Sequence, residues 1–500
     1  MLAPLGTPLT REQARHLLGR ATFSTNPARL DAIQGRRAED VVREWMGAPR
    51  NSWFLRDPTW LHKLYPPAGA TNEEVTAFLD QDAYYVREVR TAWMKELLQG
   101  DLRNRMALFW HNHFVTDVRK YRYASLAFRY VRLLQSFAFG DFRRFVKAVT
   151  TEGAMLYYLD GRFSTDDAPN ENYARELLEL FTMGPYDHEG RPNYTQSDVV
   201  EASRALTGWR MDVRASWSAS HAAWAFDSGS KTVFGRTGPF DASSLVDLVF
   251  EERSAQVARF ISRKLIAEFV HTDPDDDAVD ALAEVFRNSG FSIEETLAAL
   301  LGSAYFFEAG FRGVRVKSPV ELLAGPFSMG NGTVSDELSL AALRKADEQE
   351  QVLLAPPNVA GWPGHHTWLN TDLMPRRWTH SDWAAAVVLS HAEWQDRARS
   401  LTADSSHPAV DFAVRLAQDF FAMGLEHVSV PVIDEPFGGD LDSYPLPESL
   451  LEGPEVHRNL VKLFLAGLPW YEWEPSSYQG LAQILNYVRE LARLPEYQLC

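Results

Sequence analysis

Apolar residues recur every three or four positions along most of this chain, the spacing that lines one face of an α-helix, with no sustained strand-like alternation. A chain patterned in this way buries its apolar surface by packing helix against helix. The spacing runs through Thr10 to Leu18, Glu73 to Phe114, Tyr123 to Ala138, Phe142 to Val149, Asn170 to Met183 and Thr195 to Leu206. It resumes through Ser254 to Val270, Ala278 to Phe286, Ile293 to Phe306, Val320 to Met329, Val456 to Ala466 and Tyr478 to Leu491. Thr10 with Gln13 and Thr195 with Asp198 read as helix caps, while Pro169 and Gly184 bracket one helix and Gly208 stops another.

Two stretches break the rhythm. Residues 209 to 245 interleave Ser, Gly and Trp, and residues 353 to 378 are rich in Pro, Gly and Trp. Loops of that length inside a compact domain are usually functional or disordered. The expected fold is therefore mainly α, a single large multi-helix domain over residues 1 to 500 with two long irregular loops. By composition a surface excursion is expected over 404 to 450, where Pro408, Pro431, Pro436, Pro445 and Pro447 cluster.

Composition excludes several classes. One cysteine, Cys500, rules out an intramolecular disulfide and any multi-cysteine metal site. A net charge of −17 argues against a nucleic acid held through its phosphates. No window reaches the ~18 consecutive apolar residues of a membrane span. Met1 to Thr10 lacks the basic start and apolar run of a secretory leader, so the expected location is the cytoplasm, although the mature form of an exported protein would read the same way. No HExxH, GxSxG or GxGxxG occurs. Gly229 to Thr232 resembles the end of a phosphate-binding loop but has Ser230 where Gly is required before the Lys. Asp273 to Glu284 spaces acids like a calcium loop but has Ala278 at the Gly position, so an acidic helix start is the better reading.

Three constellations can carry chemistry. His111 and His113, in Phe109-Trp-His-Asn-His-Phe114, are candidate metal ligands, although a regular helix sends residues two apart to nearly opposite sides. In Asn170 to Phe181, Asn172, Arg175, Glu176 and Glu179 form one polar stripe on an otherwise apolar helix. Glu176 and Glu179 suit an acid and base pair or a cation, with Arg175 as partner or as a structural counter-charge. From the loops come Asp227 and Lys231, then His365, His366, Asn370, Arg376 and Arg377, with Trp209, Trp362 and Trp368 placed to wall a site. The candidate metal set is His111, His113, Glu171 and Glu176. The candidate catalytic set is Glu176, Glu179, Arg175, Asp227 and Lys231. Asn170, Asn172, Trp209, Trp362, His365 and Trp368 are candidates for ligand contact.

At these residues the chain resembles the domain of unknown function 1800 family. The resemblance lies in FWHNHFVT (Phe109 to Thr116), PNENYARELLELFTMG (Pro169 to Gly184), YTQSDVVEASRALTGW (Tyr194 to Trp209) and DSGSKTVFGRTG (Asp227 to Gly238). It continues through KSPVELLAG (Lys317 to Gly325), PPNVAGWPG (Pro356 to Gly364) and PEYQL (Pro495 to Leu499), and so covers nearly the whole chain. It implies one large helical unit of bacterial character, often encoded beside a second, exported-looking protein that would be a candidate partner. Family members usually have His before the Asp of the fourth segment; here that residue is Phe226, and His221 is the nearest substitute.

Two functions follow as expectations. The first is an enzyme with a buried His and carboxylate site, with a divalent metal as candidate cofactor and hydrolysis as the nominal reaction. The second is a non-catalytic binding or assembly protein whose aromatic loops hold a small molecule, a polymer or a protein partner.

Overall fold

The computed structural model describes residues 2–24, 26–329, 334–387, 391–431, 446–447, 450, 452–466 and 469–500. Helix takes up 62% of it and strand only 4%, so the core is made mainly by helices. The strands are two hairpins inside the first irregular stretch: Trp209–Arg210 pairs with Ser220–His221, and Lys231–Val233 with Arg236–Gly238.

Helices Arg11–Thr22 and Gln196–Ala205 begin where the sequence places their caps. The Thr10 hydroxyl accepts from the Gln13 amide while Gln13 reaches back to Thr10, and Thr195 with Asp198 does the same for helix Gln196–Ala205. The long periodic stretch after Glu73 divides into helices Asn72–Gln99 and Leu102–His113. Gly100 forces that division: it adopts φ 67°, and a Cβ there would lie 2.6 Å from the Thr22 carbonyl oxygen, so the chain turns on the one residue that fits. The calcium-like acids form a helix start, as the better reading expected, and Asp276 pairs with Arg259 and Arg263.

Two apolar clusters share the interior. The larger runs from Leu9 to Ala384, and the smaller joins Trp394 and helices Pro408–Phe420, Glu455–Leu465 and Tyr478–Arg493. The stretch expected as a surface excursion is thus in part core, with Phe412, Leu416 and Phe420 buried at helical spacing. Its residues 432–445 and 448–449 lie outside the described residues. Helix Pro319–Met329 joins the clusters, giving Val320, Leu323 and Phe327 to the first and Leu322 and Met329 to the second.

That shared helix is fixed at its start by Glu321. One carboxylate oxygen accepts from the Ser318 amide at 2.8 Å, and the other meets Arg105 at 2.7 Å and Arg315 at 3.5 Å. Burial alone would raise the Glu321 pKa, but the two guanidinium groups outweigh it and hold the carboxyl below its usual range. Removing one partner of such a group leaves buried charge unanswered. Glu321→Leu should lower the unfolding free energy by about 3–5 kcal/mol in guanidinium titrations, and Arg105→Met added to it should recover part of the loss.

Candidate functional site

Helix Leu102–His113 is buried on nearly every side, so each polar group on its last turn must find a partner in another segment. The two imidazoles do so in opposite directions. His111 Nε2 accepts from the Leu354 amide at 3.0 Å, and its ring stacks on Trp362 at 5.3 Å between ring centres. A nitrogen that accepts a backbone N–H carries no proton, and burial holds this imidazole neutral by lowering its pKa to about 3. His113 Nδ1 accepts from Lys264 Nζ at 3.1 Å, and its Nε2–H donates to the Phe181 carbonyl at 3.1 Å. Burial, with the Lys264 charge beside it, pushes His113 well below its ordinary value, and burial brings Lys264 down to about 8.

Between them Asn112 clamps the second irregular loop. Its Oδ1 accepts from the Trp362 amide at 2.7 Å and its Nδ2 donates to the Trp362 carbonyl at 3.2 Å. Gly361 makes room for this contact, because a Cβ on it would sit 2.3 Å from Asn112 Oδ1. Trp362 and Trp368 are consequently core residues, 6% and 5% exposed, and not walls of an open site. His365 Nδ1 accepts from the Val316 amide at 3.3 Å, a further tie between this loop and the body. Arg377 is buried against Gln498 and the Lys317 carbonyl, while Arg376 bonds the Glu348 carbonyl and Asp372.

The helix expected over Asn170 to Met183 changes character midway. It is α over Glu171–Leu178 and π over Glu179–Met183, where one extra residue is accommodated before Gly184. The carbonyls disturbed by that insertion gain side-chain donors: Thr182 Oγ1 bonds Leu177, His113 bonds Phe181, and Asn193 bonds Met183 and Gly184. Single π turns of this kind occur frequently at functional sites.

Glu176 and Glu179 stand on one face at this junction. Burial, and then the charge of Glu179, raise the Glu176 pKa against the opposing pull of Arg175. Glu179 accepts a short hydrogen bond from the Tyr194 hydroxyl, whose own pKa is raised to about 12 chiefly by burial. Tyr158 approaches closely enough to feel the charges of Glu176, Asp117 and Arg119. Arg119 in turn bonds Asp117 at 2.9 Å and the Pro356 carbonyl at 3.3 Å, which brings the second loop to this neighbourhood. Arg175 donates to Gln196 at 2.8 Å, and Gln196 donates to Glu171 at 2.9 Å.

Several other candidates are bonded to their own surroundings. Asn170 caps the helix through the Tyr173 amide and holds the Leu159 carbonyl, and Asn172 is exposed in the first turn. Asp227 is ion-paired with Arg204 at 2.7 Å and bonds the Gly229 amide, and that pairing holds its carboxyl below the usual range. Lys231, 1% exposed, donates to the Asp227 and Gly229 carbonyls, so both residues close the turn they sit on. Trp209 lines a surface cavity of about 560 Å³ with Arg144, Lys147, His221 and Phe226.

The metal set expected from sequence is not brought together. Among the described residues no three His, Cys, Asp or Glu side chains could share an ion. The physical reason is that both imidazoles are taken by backbone groups on opposite sides of their helix, while Glu171 turns outward to Gln196. Tyr194, Lys264 and Asn112 are the polar groups that motif reasoning missed. Tyr194 carried a signal, a phenol directly before the Thr195 cap, whereas Lys264 lies in an amphipathic helix with nothing local to mark it.

A model of the family described as "Protein of unknown function (DUF1800)" matches residues 16–487. No curated protein and no solved structure matches the chain. Among the described residues no helix is long and apolar enough to cross a membrane.

Two outcomes test this geometry. Gly361→Ala should cost at least about 2 kcal/mol in urea unfolding, from left-handed strain plus the clash with Asn112. Gly290→Ala, with φ 72° and nothing within 4 Å, should cost the strain alone, about 1 kcal/mol. Because His111 and His113 protonate less readily folded than unfolded, stability should fall as pH drops below ~6.5, by up to ~1.4 kcal/mol per unit for each imidazole. His111→Gln should flatten that slope in denaturant titrations between pH 7 and pH 4.

Proposed function

Since the chain belongs to the DUF1800 family of unknown function, we propose its chemistry from its own geometry: an enzyme acting by acid and base catalysis, hydrolysis foremost, at Glu176 and Glu179. The observation that carries this reading is a half-buried carboxyl with a raised pKa beside a second carboxyl on the same face, at an α-to-π junction. Glu176 in its acid form protonates the leaving group. Glu179, oriented by the Tyr194 hydroxyl, accepts a proton from the attacking water. Arg175 and the phenol of Tyr158 stand close enough to steady negative charge that develops between them. Metal assistance at this place would rest on the two carboxyls, since His111 Nε2 and both nitrogens of His113 are engaged within the core.

A different observation favours a binding role as the second reading. Trp224 and Phe163 are 77% and 60% exposed, Arg210 lies over the Trp224 ring at 5.2 Å, and Arg162 lies over Phe163 at 3.9 Å. Arg210 Nη1 also bonds the Arg162 carbonyl at 3.0 Å, so the two pairs adjoin. Such a face of aromatic rings and guanidinium groups suits a sugar polymer or a protein surface.

Chromogenic esters, glycosides and phosphate esters, with fluorogenic peptides, separate the two readings. The expected result is turnover of one class, lost by about 100-fold or more in Glu176→Gln with the unfolding midpoint little changed. The rate should fall as pH rises through the raised pKa of Glu176, because the acid form is the active one. Equal turnover in Glu176→Gln, or none in the wild type with polysaccharide retardation that Trp224→Ala abolishes, would overturn the enzyme.

A further inference from the structure

Away from the carboxyl pair, the seam between the two apolar clusters holds an excess of buried positive charge around a small cavity. Helix Arg11–Thr22, the first turn of helix Pro319–Met329, residues 420–422 and Cys500 enclose a space of about 30 Å³. Its polar lining is Arg15, His16, Arg20, Lys317, Glu321 and Cys500. A space of that size exceeds the ~10–15 Å³ that one water needs and admits a group of a few atoms.

Arg20 is 1% exposed and has one protein partner, the Phe311 carbonyl, at 2.7 Å from Nη2. Its Nε and Nη1 are buried with no hydrogen-bond partner. Arg15 Nε is in the same condition, and the carboxylate nearest Arg15, Asp419 at 3.9 Å, is engaged more closely by Arg11 and Arg397 at 3.2 Å each. Lys317 is spent on the Tyr497 carbonyl at 2.8 Å and on that ring's face.

The charges do not balance. Glu321 and Glu268 answer Arg105 and Arg315. Among the described residues Arg20, Lys317 and Arg377 have no carboxylate at ion-pair distance, and the negative influence of Glu321 and Cys500 is shared among all three and Arg315. Burial consequently brings Arg20 down to about 10 and Lys317 to about 8. Water in the cavity would satisfy N–H groups and leave the charge unanswered, whereas a carboxylate or phosphate oxygen answers both.

We propose that this cavity is a binding site for a small anion, a carboxylate or phosphate group, held by the unanswered N–H groups of Arg20 and faced by Arg15 and Lys317. The site is independent of the chemistry assigned to Glu176, and it gives the seam between the two clusters a ligand that reports on their packing. A ligand that binds only the folded chain raises its unfolding temperature in proportion to occupancy.

Calorimetric titration and thermal unfolding of the full chain with sodium phosphate and with sodium acetate, each against sodium chloride at equal ionic strength, test this. Saturable binding of phosphate or acetate above the chloride baseline is expected, and whichever salt binds identifies the group. Kd should rise at least tenfold in Arg20→Met, while Glu176→Gln should bind like the wild type. If Arg20→Met does not fold, Arg15→Gln, with a side chain 13% exposed at the rim, takes its place and should show the same rise. No response to either salt beyond chloride, or a Kd within twofold of the wild type in the folded variant, overturns the site.

Discussion

The architecture rests on one constraint: a helix buried on nearly every side that still carries polar groups. Leu102–His113 has Arg105, Trp110, His111, Asn112 and His113 within two and a half turns, and each bonds a segment distant in sequence. Arg105 reaches Glu268 and Glu321, Trp110 the Ala138 carbonyl, His111 Leu354, Asn112 Trp362, and His113 Phe181 with Lys264. Unpaired, such groups would each cost roughly 1–3 kcal/mol. Paired, they dictate where the second irregular loop, the π turn and the helix joining the two apolar clusters must lie.

The same constraint explains the division of labour among the ionisable residues. An imidazole that accepts a backbone N–H inside a dry core is neutral over the physiological range, so His111 orients a loop, and the proton on its Nδ1 is buried with no hydrogen-bond partner to receive it. His113 donates to a carbonyl of the π turn and thereby supports the helical irregularity that starts at Glu179, just beyond Glu176. The dense histidine signal is thus a device for holding the carboxyl face in shape, while Glu176 and Glu179 are only partly buried.

Local rules read well from sequence, and long-range ones did not. The caps at Thr10 and Thr195, the stops at Gly184 and Gly208 and the acidic helix start after Asp273 follow from short-range hydrogen bonds and backbone conformation, which depend on neighbours a few residues away. The break at Gly100 was missed because apolar spacing continued across it, and what compels it is the nearness of Thr22. The π turn was invisible for a related reason: its extra residue is tolerated only because His113, Thr182 and Asn193 supply donors. Helical geometry alone told that His111 and His113 diverge, but not that backbone groups would claim both. The pairing of Arg105 with Glu321 spans 216 positions and leaves no local trace.

The aromatic residues obey the same logic. The chain has 15 Trp, 17 Tyr and 29 Phe, and those nearest the polar motifs looked like site walls. A tryptophan beside a buried imidazole, however, is the surface that keeps water from it, as Trp362 and Trp93 do for His111. Proximity to a motif therefore marks what shields the motif as readily as what faces a ligand. Exposure separates the two cases: Trp362 and Trp368 are enclosed, Trp209 borders a cavity, and Trp224 projects into solvent over Arg210.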